Sequence, residues 1–239
     1  MIDGCINLPI RDNLVRLTNN KIARLPPYIN IFMIDIIEKE FVVDFFKNQP
    51  TGKFIEIGAC DGGPNSDDEP FWGLVQKGWH GVYCEPNPMS CTRLIKNVMP
   101  YGDKIKVFNG AITPSGGLSD FYLSIDTGGS SSFDPSWMSK QTFYEETHRQ
   151  YPIITNTITV NTLIDHVGWD VDAISIDIEA SPQSEFLKTL FNDVDLSKLI
   201  KCKLFIMEAV PDILRDSLLE LGFELVISKV HNSIFYRNI

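Results

Sequence analysis

No run of 18 apolar residues occurs in this chain of 239 residues, so a membrane-spanning helix and a membrane partner are not expected. The first residues, MIDGCINLPIRDN, lack the basic region and apolar core of a secretory signal, and the expected location is the cytoplasm. Positive charge is also short. Lys and Arg number 21 against 31 Asp and Glu, a net charge of -10. Residues 1–50 hold six acids and six bases, so the whole excess lies beyond them. A duplex-binding protein would carry a basic stripe; none shows, and nucleic acid is not an expected partner, although a local basic pocket could hide in the fold. Five cysteines, Cys5, Cys60, Cys84, Cys91 and Cys202, make no CxxC and no metal-ligand spacing, so they read as reduced thiols. A GxGxxG dinucleotide loop is missing as well: the one glycine turn that follows an apolar strand is Gly58-Ala59-Cys60-Asp61-Gly62-Gly63, without the middle glycine.

What is present is an alternation of strand and helix patterns. Residues 1–27 mix short apolar patches with Asn and end in Pro26-Pro27, which predicts irregular chain or one short helix. From Ile29 to Lys47 the charges Asp35, Glu38, Lys39, Glu40 and Asp44 leave a broad apolar face at helical spacing, so residues 1–50 read as an N-terminal extension whose helix packs on the core. Residues 51–239 read as one α/β domain. Strands are expected at Lys53–Ile57, Gly81–Cys84, Lys104–Phe108, Leu118–Ile125, Ala173–Ile178 and Lys203–Met207, with a brief one at Ile158–Val160. Helices are expected at Phe71–Lys77, Pro88–Met99, Leu163–Val167 (one short turn), Pro182–Phe191 and Asp212–Leu221. Residues 126–156, rich in Ser, Gly and aromatics, read as a long loop with a short helix folded over a site. A hairpin around His231-Asn232 closes the chain. The fold class is α/β, an open and mostly parallel sheet with a reversed C-terminal edge strand.

Ligands of such sheets bind outside the carboxyl ends of the strands. The residues there are Glu56, Gly58, Asp61 and Gly62, then Glu85, Asn109 to Ala111, Asp177 with Glu179, and Glu208. Glu56 and Asp61 would repel a pyrophosphate and hold an amine or sulfonium group. Glu85, ending the second strand, suits a grip on both ribose hydroxyls. An adenosine with a cationic tail satisfies both, and S-adenosylmethionine is such a molecule. Asp177 is placed to take a proton from an attacking hydroxyl. Positioning of the substrate, or a divalent ion held with Glu179 and Glu208, competes with that role. His148 in the long loop is a second candidate base, while His80 precedes a strand and falls at the wrong end of the sheet. Trp137, Phe143, Tyr144 and Tyr151 could stack on a sugar face or only pin the loop.

FIEIGACDG at 54–62, Asn65-Ser66, GWHGVYCEPNP at 78–88, GAI at 110–112, the serines at 130–132, SIDIEA at 175–180 and NSIFYRN at 232–238 together resemble the FkbM family of methyltransferases over about residues 52–238. The resemblance implies a class I, Rossmann-like fold, S-adenosylmethionine as methyl donor, and O-methylation of a sugar, glycan or other hydroxylated small molecule. By position it implies Glu56, Gly58, Asp61 and Gly62 in the cofactor loop, Glu85 on the ribose, Ser131 and Ser132 beside the cofactor, and Asp177 with Glu179 toward the substrate. Cys60 stands where the family commonly has asparagine, and Ala180 where glycine is usual. A NAD-dependent oxidoreductase and a non-enzymatic interaction domain are the rival readings, and the oligomeric state is left open.

Overall fold

The computed structural model describes residues 14–16, 22–24, 31–63, 69–124, 131–133, 150–180, 184–228 and 232–239. Two three-residue strands, β1 (Leu14–Arg16) and β2 (Ile22–Arg24), pair antiparallel ahead of helix α1 (Ile31–Phe45). This corrects the expectation of irregular chain or helix before residue 27. Segments this short cannot recover the cost of helix nucleation, whereas three ladder pairs satisfy their backbone groups directly. Phe41, Val42 and Phe46 at the end of α1 are buried, and Phe46 meets Trp79 edge to face at 4.7 Å.

The elements that follow are β3 (Lys53–Ile57), α2 (Trp72–Gln76), β4 (His80–Cys84), α3 (Pro88–Val98), β5 (Ile105–Phe108), β6 (Ala111–Ile112), β7 (Gly117–Ser124), β8 (Gln150–Ile158), α4 (Val160–Val167), β9 (Ala173–Ile176), α5 (Glu185–Thr189), β10 (Leu204–Glu208), α6 (Asp212–Glu220), β11 (Glu224–Ser228) and β12 (Asn232–Tyr236). Seven strands form one sheet in the order β11-β12-β10-β9-β3-β4-β5. β10, β9, β3, β4 and β5 run parallel, and β12 runs against both its neighbours. That is the class I methyltransferase arrangement. The reversed strand sits one place in from the edge, because the chain turns back after β11 and inserts β12 between β11 and β10.

The central strands are apolar on both faces, as strands covered by helices on both sides must be. Ile55, Ile57, Ile174 and Ile176 pack with Leu163, Ile164, Leu187 and Leu214 from α4, α5 and α6. Phe54, Tyr83, Ala173 and Ile206 pack on the opposite face with residues of α1, α2 and α3. No helix among the described residues is long and apolar enough to cross a membrane.

A second sheet, in the order β6-β8-β7, departs from expectation. The segment read as loop up to residue 156 holds the nine-residue strand β8, paired along its length with β7 from Gly117↔Thr157 to Ser124↔Gln150. Its β-branched run, Ile153 to Thr155 with Thr157 and Ile158, buries Thr155 and Thr157 and leaves Ile154 exposed. Ile158, read as opening a brief strand, ends β8, and Val160 opens α4. His148, Trp137, Phe143 and Tyr144 lie outside the described residues, as do Asn65 and Ser66.

Candidate functional site

Parallel register builds the site. Ile57 pairs with Cys84 on one side and with Ile176 on the other, so the three strands end level and release Gly58, Glu85 and Asp177 side by side. Backbone bonds tie these exits together: Gly58 donates its N–H to the Cys84 carbonyl (2.9 Å), Asp177 to Ile57 (2.8 Å) and Glu85 to Phe108 (3.0 Å). A cavity of about 190 Å³ opens above them. Gly58, Cys60, Glu85, Pro86, Ala111, Ser131, Ser132, Phe133, Asp177, Ile178 and Glu179 all line it.

Glu85 is 6% exposed. Its two carboxylate oxygens accept the N–H groups of Cys60 (2.8 Å) and Asn87 (2.7 Å), which bolt the glycine turn to the β4 exit. Burial pushes its pKa up to about 7, against the pull of those two N–H donors; the Asp177 charge adds to the rise and Arg93 opposes it. Glu85 does not cap the helix that follows it. Asn87 caps α3, its side chain accepting from Met89 and Ser90, with Pro88 at the first helical position. Asn109 serves the same corner from outside: it is exposed, and its amide donates to the Glu85 carbonyl at 2.9 Å.

Four residues expected in the cofactor loop separate here. Gly58 lines the cavity, while Glu56, Asp61 and Gly62 do not. Glu56 lies on the α1 face of the sheet, between Tyr83 and Ser175, and is 1% exposed. There it meets Glu69. The Glu69 carboxylate accepts the Phe71 N–H (2.7 Å) and the Tyr83 hydroxyl (3.1 Å). Burial first, and then the charge of the neighbouring Glu69, push the Glu56 pKa well up, and burial likewise raises Glu69. Asp61 points toward α3, with an oxygen 3.9 Å from Arg93, and its carbonyl accepts from Asn97 at 2.8 Å. Gly62, at φ 49, turns against Leu94, where a Cβ would come within 2.3 Å of the side chain. Neither Glu56 nor Asp61 therefore stands in the cavity wall where the sequence places them.

The far wall comes from the segment 131–133. Ser132 exchanges backbone hydrogen bonds with Tyr122 (2.9 and 3.1 Å) and donates its hydroxyl to the Glu179 carbonyl (2.6 Å). The Ser131 hydroxyl accepts the Ser124 N–H at 3.0 Å. Phe133 stands between Phe121 (5.0 Å) and Phe186 (5.7 Å), giving the cavity an aromatic wall. Glu208 is absent from the lining, and among the described residues no three His, Cys, Asp or Glu side chains gather closely enough to hold a metal ion. Among the described residues the divalent-ion grouping of Asp177, Glu179 and Glu208 is thus not formed. His80 is exposed at the amino end of β4.

Reading by residue type missed Phe121, Phe133, Ile178 and Glu69. Nothing in the local sequence marks the first three as cavity walls, because they come from separate elements. Glu69 looked like one of several acids before a helix and is instead turned inward and fully buried.

A search of curated proteins finds no match. Among solved structures, the N-terminal domain of human METTL16 in complex with SAH aligns at 12% identity over 93% of this chain and 87% of that one, with a TM-score of 0.45. A human methyltransferase 10 domain containing protein aligns at 14% identity over 87% and 81%, with a TM-score of 0.43. No role is carried over from either. The family model described as the methyltransferase FkbM domain matches residues 56–181, which hold the glycine turn, Glu85 and the Asp177 exit. That match spans more than half of the chain, and the protein belongs to the FkbM methyltransferase family.

Proposed function

We propose that the protein is an S-adenosylmethionine-dependent O-methyltransferase acting on a hydroxyl of a sugar or glycan. The observation that carries the reading is the level exit of Gly58, Glu85 and Asp177 into one cavity. The residues present fit the donor. Glu85 is a buried carboxylate whose oxygens each keep a lone pair beyond the N–H they accept, which suits ribose hydroxyls. Gly58, which lines the cavity without a side chain, lets the β3 exit pass directly against the Asp177 backbone. When bound, S-adenosylmethionine supplies a methyl group on a sulfonium.

The chain's own work is then to orient and to take a proton. Asp177 lines the cavity beside Glu85 and is the acceptor for the proton of an attacking hydroxyl. Holding that hydroxyl in line lowers much of the barrier. Phe121 and Phe133 exclude water and offer a flat apolar face to the C–H side of a sugar ring, while Glu179 offers a hydrogen-bond acceptor to neighbouring hydroxyls. Family membership favours this reading over the oxidoreductase.

The test is transfer of a labelled methyl group from S-adenosylmethionine to a panel of glycans and hydroxylated small molecules. Alkali-stable methyl ether on a sugar is the expected product. Label that reaches only RNA, protein or non-sugar acceptors would overturn the sugar assignment.

A further inference from the structure

A second recess lies on the α4 face, away from the strand exits. β5 is the edge strand of the seven-stranded sheet, and among the described residues nothing pairs along its outer side. Because Val82 pairs with Lys106 and Cys84 with Phe108, the side chains of Val82, Lys106 and Phe108 share one face of the sheet. α4 does not close over them. A cleft of about 580 Å³ remains, walled by Val82, Phe108, Ile158 and Leu163, with Thr162, Lys106 and His166 along it. A smaller cleft of about 120 Å³ shares Val82, Lys106 and His166 and continues past His80, Lys104 and Lys53.

The two clefts differ in chemistry and meet end to end. One is apolar. The other gathers three lysines and two histidines, with Asp103 as the single acid in its lining. Lys53 is neutralised by Asp170 at 2.6 Å, but Lys104, Lys106, His80 and His166 have no acidic partner among the described residues. The Lys104 ammonium is folded over the Gly78 turn, 3.1 Å from where a Cβ would stand, and so sits near the start of β4. On a chain of net charge -10, two lysines without an acidic partner among the described residues and two histidines gathered at one mouth, against the single acid Asp103, match an anion rather than a neutral or basic ligand. The cationic mouth is at the amino ends of β4 and β5. The length of β4 holds this cationic mouth about 15 Å from the exits that form the cofactor cavity, while the apolar cleft runs up the α4 face to Phe108, and neither cleft shares a lining residue with that cavity.

We propose that the joined clefts bind an anionic amphiphile: a phosphate monoester head among Lys104, Lys106, His80 and His166, and a short hydrocarbon tail along Val82, Phe108, Ile158 and Leu163. Lysine ammonium groups hold phosphate oxygens as point charges, and the apolar walls supply a tail site that a free phosphate ion cannot use.

Isothermal titration of the full chain with octyl phosphate, below its micelle concentration, should show one saturable site. Inorganic phosphate, the head alone, and octanol, the tail alone, should each bind at least tenfold more weakly. The double variant K104A/K106A should weaken octyl phosphate binding tenfold or more. Thr162→Trp should do the same, filling the apolar cleft from the exposed first turn of α4 while keeping the backbone N–H that Thr159 caps. Both variants should keep the wild-type circular dichroism spectrum and melting temperature. The proposal is overturned if octyl phosphate gives no saturable heat, if inorganic phosphate binds as tightly, or if neither variant weakens binding. Flotation with phosphatidylcholine vesicles carrying phosphatidic acid separates the remaining source: a protein that floats with them but ignores octyl phosphate in solution has a membrane-facing patch and no ligand cleft. None of these readouts uses methyl transfer, so they stand apart from the proposed reaction.

Discussion

Gly58 and Asp177 approach so closely that a Cβ built on Gly58 would lie 1.7 Å from the Asp177 carbonyl oxygen. Gly58 also has φ 85, a conformation that other residues adopt only under strain. The contact exists because the parallel bonds of β3 with β4 and β9 draw both exits onto one level. Gly58→Ala should therefore destabilise the fold by about 2–4 kcal/mol, through backbone displacement and left-handed strain together. A drop in melting temperature on the order of 10 °C is the expected readout. An unchanged melting curve would mean that the two exits are not held as described.

Glu85→Ala removes the acceptor for two backbone N–H groups and the ribose ligand of the proposed cofactor site. Cofactor affinity by calorimetry should fall tenfold or more, about 1.4 kcal/mol or greater. Stability should fall with it, because Cys60 and Asn87 then lose a buried acceptor. Loss of stability with intact affinity would leave Glu85 as a bolt for the glycine turn and nothing more.

Asp177→Asn keeps the shape and the backbone bond to Ile57 but cannot take a proton. Turnover should fall by about 10²–10⁴ while cofactor affinity stays within about twofold. Full residual activity would remove Asp177 from the chemistry and turn attention to His148.

The strand exits were legible in the sequence because each depends on a local pattern: an apolar run followed by Gly58, by Glu85-Pro86, or by Asp177. The consequence of aligning them was not, since register is a relation between segments far apart in the chain. Glu56 shows the limit. Its place in KFIEI is plain, but which face it takes depends on the partners of Phe54 and Ile55, and that choice sends it to Glu69 and away from the cavity. β8 failed for a different reason. Pro152 and the polar Gln150, Asn156 and Thr157 mask a strand stabilised by its ladder with β7. Helix ends fared better, since Asn87-Pro88 and Gly222 act locally.

The buried carboxyls predict a pH response. Glu85 has a folded pKa of about 7 against an ordinary 4.5, and Glu56 and Glu69 are raised in the same sense. A carboxyl raised on folding favours the folded state while it is protonated. Its contribution is full below about pH 4.5, declines as pH rises, and is gone above about 7. Glu85 alone accounts for about 3 kcal/mol across that window. Melting temperature should therefore fall between pH 5 and pH 8. Glu69→Gln mimics the protonated form, keeps an acceptor for Phe71 and Tyr83, and should flatten part of the slope. Parallel curves for the two proteins would show that the Glu56–Glu69 pair does not set it.

Cys60 offers the opposite test, a substitution that should improve the fold. Its φ of 49 places a residue with a full side chain in the left-handed region, at the point where its N–H must reach Glu85. Asparagine tolerates that region better, because its short polar side chain can bond locally. The thiol gives little back: burial, with the charges of Glu85 and Asp61, pushes its pKa up to about 11, so it is not a reactive thiolate at neutral pH. Cys60→Asn should raise stability by about 0.5–1 kcal/mol, or roughly 2–4 °C in melting temperature. The bond from residue 60 to Glu85 depends only on the backbone, so cofactor affinity should hold or tighten as the turn relaxes. A fall in stability on Cys60→Asn would show that the sulfur is packed more tightly than its half-buried position indicates, and that cavity shape rather than backbone strain selects the residue here.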